Sequence, residues 1–177
     1  AIGVSTPRPF YHPVVMGALA GRRLRREWHT PIHDNHLARG AEMMDTGLWR
    51  RPKSYAAQSP RTQVEVEYRD VREGVGVIDV STLGKIEIFG ADAGTLLEHA
   101  YTCVFDKLAP GMTRYVFMVD GSGTLIDDGV AACVGVDHFY VTTTSTHSQT
   151  VLRLLQLFAD QLALDVAVID RSFEVAA

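Results

Sequence analysis

Apolar positions recur at two spacings along this chain, and the changes between them predict its elements. Thr30-Pro31 opens the first ordered section, since proline favours the first turn of a helix. His36, Leu37, Ala41 and Met44 then follow at helical spacing through HDNHLARGAEMM. LWRRPKSYAAQSP breaks the period and reads as loop. A second helix is predicted over residues 62–73, with Val64, Tyr68 and Val71 on one stripe and Gly74 and Gly76 ending it. VGVIDVS and KIEIFG read as short strands parted by a turn at Leu83-Gly84. Residues 91–100 are helical, with Asp92 complementing the helix dipole. After the Pro110-Gly111 turn, RYVFMVD, TLIDDGVAACVG and HFYVTTT alternate as strands, and GSG at 121–123 joins the first two as a hairpin. Ser145 or Thr146 is placed to cap a last helix over 147–163, striped by Val151, Leu154, Leu155 and Phe158. DVAVID and SFEVAA read as closing strands. The mixture is α+β, an antiparallel sheet with packed helices. It ends on apolar residues, as though inside a larger fold.

One predicted strand carries two adjacent acids. Successive side chains on a strand face opposite ways, so Asp128 shares a face with Ile126, Val130 and Ala132, and Asp127 with Leu125, Gly129 and Ala131. Both faces are mainly apolar, and the pattern does not choose between the acids. A carboxylate beside a low-polarity wall makes an acceptor for an amine or a proton carrier. The structural alternative is that acids next to a turn bond to neighbouring backbone amides. Gly129, inside the strand, marks a bulge or a close approach of a ligand or another backbone.

Composition narrows the classes. With 177 residues and 46% apolar content, the chain suits one globular domain. A net charge of −4 argues against a nucleic-acid module. No run of about 18 apolar residues predicts a membrane span. Cys103 and Cys133 sit among apolar neighbours, which suits two buried thiols in a cytoplasmic protein. Residues 1–30 are proline-rich, then small, then basic, and read as a tether to residues 31–177. Within it, Arg22, Arg23, Arg25 and Arg26 suit a solvated linker or a grip on a phosphate or acidic partner. GVGVID lacks the third glycine and the helix of a dinucleotide loop. His29, His33 and His36 cluster without the further ligands of a metal site, and no metal is expected. Asp34 and Asn35 suit helix caps.

Several segments together carry a resemblance. TPIHDNHLARGAEMMDTGLW, VGVIDVSTLGKIEIFGADAGTLLE, PGMTRYVFMVDGSGTLIDDGVA and FYVTTTS occur in this order. They resemble the glycine-cleavage T-protein (aminomethyltransferase) family. DVSTLGKI, the TTT run and the leader RPFYHPVVMGALAG are similar to the folate-binding region of the α subunits of heterotetrameric sarcosine oxidases within it. The resemblance implies the opening portion of a larger folate-binding fold, and tetrahydrofolate as its ligand. It implies transfer of a one-carbon unit from an N-methyl amine or aminomethyl donor, giving 5,10-methylenetetrahydrofolate. It assigns Asp128 as the acid that meets the folate nitrogens. Leu83 and Tyr115 are implied to line the pocket, Val130 to share it, and Thr143 to stand at a pterin contact. Asp127 is left structural. Flavin and NAD are expected only on other regions or partner subunits of a larger oxidase, and the isolated chain is expected to be inactive. Two other classes stay open, a non-catalytic interaction module and a folate-binding regulator.

Overall fold

The computed structural model describes residues 27–55 and 60–177, so the basic leader through Arg26 lies outside the described residues. The first elements are β1 (Trp28–His29), α1 (His33–Ala38), β2 (Glu42–Thr46), β3 (Trp49–Ser54) and α2 (Pro60–Glu73). They are followed by β4 (Gly84–Phe89), α3 (Ala93–Ala100), β5 (Thr113–Val119), β6 (Leu125–Gly135), β7 (His138–Thr143), α4 (Ser148–Gln161) and β8 (Ala167–Asp170). The fold is α+β. A small sheet has the order β1-β3-β2, and a larger one the order β5-β6-β7-β4-β8, antiparallel throughout.

Period-2 alternation divides the larger sheet into two faces. Ile86, Ile88, Val116, Met118, Ala131, Cys133, Phe139 and Val141 turn inward and are buried. Leu96 and Leu97 of α3 and Val151 and Leu155 of α4 cover them, completing one apolar core. The opposite face carries Tyr115 and Phe117 from β5, paired with Val130 and Asp128 of β6. In the β5–β6 turn, Asp120 Oδ1 accepts bonds from the Ser122 and Thr124 amides at 2.8 and 2.9 Å. That aspartate holds the hairpin and so fixes which residues share a face.

Several sequence expectations give way here. The first helix does not run to Met44. It ends at Ala38, where the Gly40 and Ala41 amides fold back on Leu37 O and His36 O, and EMMDT then pairs with WRRPKS as a hairpin. The latter is a strand rather than a loop. Pro52 fits it because β1 reaches only Trp49 and Arg50, so the proline's missing N–H faces no second neighbour. VGVIDVS is no strand; Val75, Val77 and Ile78 are exposed and nothing pairs with them. SFEVAA also fails to extend. Glu174 N and Val175 N both bond to Arg171 O, bending the chain. Trp28 and His29, read as tether, form β1. Asp34 and Asn35 cap nothing, and neither Ser145 nor Thr146 caps α4, whose N-cap position is His147. Asp92 does stand at the N-terminus of α3, as expected, and its side chain accepts the Asp165 amide at 2.8 Å. The Val64, Tyr68 and Val71 stripe of α2 is exposed. Cys133 is buried as expected, whereas Cys103 is half-buried.

The bent stretch after β8 joins the two sheets. The Arg171 guanidinium bonds to Glu87 Oε2 at 2.8 Å, and Glu87 Oε1 lies 2.7 Å from His138 Nε2. Two residues on, Phe173 packs on both tryptophans of the small sheet, 5.4 Å from Trp28 and 5.1 Å from Trp49 between ring centres.

Candidate functional site

The two adjacent acids separate by face. Asp127 lies on the core side, only 4% exposed. Both of its oxygens are satisfied by Thr144: the amide donates to Oδ2 at 3.2 Å, and the hydroxyl donates to Oδ1. His147 Nδ1 stands 3.5 Å from Oδ1. A buried carboxylate needs such donors to remain charged. Asp128 points to the opposite, uncovered face and is half-buried. There the Tyr115 hydroxyl donates to Asp128 Oδ2, which leaves Oδ1 for a second donor. This bond stabilises the phenol over the phenolate and pushes the Tyr115 pKa up. Phe117 meets the Tyr115 ring edge-on at 5.1 Å. Tyr115 and Phe117 are exposed, so the face presents an aromatic shelf with a carboxylate at its edge.

Gly129 sets how this shelf meets the rest of the sheet. A Cβ there would lie 1.9 Å from Thr142 O, so only glycine lets β7 come so close. Thr142 Oγ1 fills the approach and accepts the Val130 amide at 3.0 Å. Gly84 pairs with Thr143, which brings the start of β4 to the same end of the sheet. Leu83, one residue earlier in the turn and half-buried, stands at that same end of the sheet.

Behind Leu83 the turn is held by several polar contacts. The buried Lys85 ammonium donates to Ser81 O at 2.6 Å and Leu83 O at 3.0 Å. Burial lowers its pKa, and Asp79 and Asp170 counteract that. Asp79 Oδ1 accepts the Ser81 amide at 2.8 Å, and Asp79 Oδ2 lies 2.8 Å from His36 Nε2. The other ring nitrogen of His36 is 2.7 Å from the Tyr55 hydroxyl. Burial raises the Asp79 pKa, but the bonds from Ser81 and His36 outweigh it and hold the carboxyl below the ordinary carboxylate value. A groove of about 660 Å³ borders this chain of contacts, lined by Ile32, Arg39, Tyr55, Val77 and Ile78 among others.

The model of the GCVT N-terminal domain matches residues 32–177. The chain belongs to this family. It is 38% identical over 168 residues to the sarcosine oxidase subunit alpha of Rhizobium meliloti, an alignment covering 91% of this chain and 17% of that protein. It is 31% identical over 147 residues to an aminomethyltransferase of Parafrankia sp., covering 83% of this chain and 38% of the relative. Its fold is similar to that of the glycine cleavage system aminomethyltransferase T from Bartonella henselae, with a TM-score of 0.69 at 20% identity over 81% of this chain and 38% of that one. The chain therefore spans well under half the length of these proteins.

Within this GCVT N-terminal domain, the residues singled out from sequence do not all meet. Tyr115, Asp128 and Val130 are neighbours on the uncovered face, and Leu83 stands in the turn before Gly84, at the same end of the sheet. Thr143 is not with them. It is 2% exposed on the core side, and its hydroxyl donates to Thr144 O at 3.2 Å. Sequence reasoning missed Phe117, although alternation from Tyr115 places it on the same face. It also missed Lys85 and the Tyr55–His36–Asp79 chain, whose members are far apart in sequence and met only after folding. No helix among the described residues is long and apolar enough to cross a membrane.

Proposed function

We propose that this chain is the tetrahydrofolate-binding part of a larger sarcosine oxidase α-like protein, with residues 31–177 forming part of the folate domain and residues 1–30 tethering it. The observation that carries this reading is the Asp128 carboxylate, held by the Tyr115 hydroxyl on the uncovered sheet face. The donor set suits a folate. A flat, amine-bearing ring system requires an apolar shelf and a hydrogen-bond acceptor at its rim, and Phe117, Tyr115, Leu83, Val130 and Asp128 offer both. When bound, tetrahydrofolate supplies the nucleophilic nitrogen and carries off the one-carbon unit as 5,10-methylenetetrahydrofolate. Asp128 Oδ1 orients the ring by accepting an N–H and takes up or relays a proton there. The elevated phenol pKa keeps Tyr115 a donor, so the carboxylate keeps its rotamer. The donor amine is oxidised elsewhere, by flavin and NAD chemistry on other regions or subunits of the oxidase.

Asp128→Asn in the full-length complex tests the reading. The amide keeps the shape but loses the basic oxygen. Folate-coupled product is expected to fall by at least about 100-fold, the low end of what a positioned acid–base group contributes, with an unchanged unfolding midpoint. Wild-type yield of methylenetetrahydrofolate would overturn it. Exposed Phe89 and Phe117 on the same face favour a second reading, a non-catalytic docking module, and calorimetric titration of the complex with tetrahydrofolate separates the two. Absence of binding supports the docking module; binding without turnover points to a regulator.

A further inference from the structure

We propose that Lys85 is a positioning residue: its ammonium clamps the carbonyls of Ser81 and Leu83 and thereby sets where Leu83 stands at the end of the sheet that carries Asp128. The inference rests on the folate reading above and extends it to a residue that does not touch the ligand.

The turn before β4 is short of regular structure. Its internal bond is Leu83 N to Val80 O at 3.0 Å. The Ala177 backbone holds its first half, with Val80 N donating to Ala177 O at 2.9 Å and the Ala177 amide donating to Ser81 Oγ at 3.0 Å, and side chains supply the rest. Asp79 fixes the Ser81 amide, Ser145 Oγ donates to Thr82 Oγ1 at 3.1 Å, and Lys85 reaches back to the two carbonyls. Those carbonyls belong to residues 81 and 83, two apart, so one ammonium that bonds both fixes the orientation of the Ser81–Thr82 and Leu83–Gly84 peptide units. A lysine suits this task because its ammonium is a compact point donor with three N–H groups. It is fully buried, although burial of a charge is costly. Its ammonium donates to carbonyls, and the opposing charges of Asp79 and Asp170 act on it at longer range. A lysine kept for stability alone would gain more from a carboxylate partner or from replacement by an apolar side chain of equal length. Its bonding partners point instead to the geometry of the turn.

The clamp also connects the site to α1. Asp79, bonded to His36, anchors the turn at one end, and Lys85 anchors it at the other. Leu83 sits between the second anchor and Gly84, where a Cβ would come 2.1 Å from Thr143 Oγ1 and 2.5 Å from Ser148 Cβ. There is little room for the backbone at 84 to shift, so freedom at Leu83 is governed by the turn.

The test uses the full-length protein and the Lys85→Met variant, with hydrogen exchange of the turn amides and calorimetric titration with tetrahydrofolate as readouts. The expected result is at least tenfold faster exchange at Ser81 and Leu83, unchanged exchange in β5, β6 and β7, and at least a tenfold rise in the tetrahydrofolate Kd. Lys85→Arg should restore part of the affinity. Native exchange at the turn with native affinity overturns the proposal, and so does loss of protection spread evenly over the sheet. If Lys85→Met does not fold, Asp79→Asn loosens the same turn from its other end. It must raise exchange at Ser81 and weaken tetrahydrofolate binding, and native behaviour in both would overturn the clamp. Failure of the wild type to bind tetrahydrofolate at all would instead count against the folate reading, which Asp128→Asn probes separately.

Discussion

At the scale of single residues, the two neighbouring acids illustrate what a sequence can decide. Alternation separates Asp127 from Asp128 with certainty, because the strand puts them on opposite faces. It does not say which face meets the core, since both carry apolar neighbours. The deciding groups are the amide and hydroxyl of Thr144, 17 residues away in sequence from Asp127. The fold puts Asp128 on the uncovered face, bonded to the Tyr115 hydroxyl. Tyr115 offers a direct measurement of that environment. A carboxylate accepting its hydroxyl disfavours the phenolate, so Tyr115 should ionise above the ordinary tyrosine value in alkaline titration. In Asp128→Asn its pKa should fall back towards that value. An unchanged titration, followed by the phenolate absorbance or by NMR of Tyr115, would show that the pair is not bonded in solution.

At the scale of elements, α2 was legible although its apolar stripe is exposed, and the strands of the larger sheet were legible where a neighbour pairs with them. KIEIFG, RYVFMVD, TLIDDGVAACVG and HFYVTTT became β4 to β7 because each has a strand beside it. VGVIDVS has the same composition, yet no strand pairs with it, and Val75, Val77 and Ile78 stay exposed. The pair β2 and β3 was hidden for the opposite reason. Pro52 and three basic residues made WRRPKS read as loop, while β1 reaches only Trp49 and Arg50 and leaves Pro52 paired to β2 alone. Gly129 shows how closely strands meet inside the sheet. Its reading as a point of close approach was correct, and the approaching group is the β7 backbone at Thr142. Gly129→Ala must push β6 and β7 apart. We expect a loss of about 1–3 kcal/mol, the usual range for overpacking, read as a lower urea midpoint. A change within about 0.5 kcal/mol would mean that the strands yield freely.

At the scale of the whole molecule, the two sheets are joined through contacts that no local pattern announces. Phe173 stacks on Trp49 and meets Trp28 edge-on, and such aromatic pairs contribute about 0.5–1.5 kcal/mol each. Phe173→Ala should therefore weaken the small sheet by about 1–3 kcal/mol. Trp28 and Trp49 are the chain's two tryptophans, so their emission should shift to the red at a lower urea concentration than the loss of circular dichroism from the larger sheet. Coincident transitions at the wild-type midpoint would contradict this. The segment after β8 looked like one more strand because its composition is that of a strand; its role is decided by where Arg171 and Phe173 reach. These two side chains sit almost side by side on the backbone yet grip different halves of the protein. Tension applied to that short span loads both grips together, so a tug or a protease cut there would unfasten the halves from each other before either one came apart.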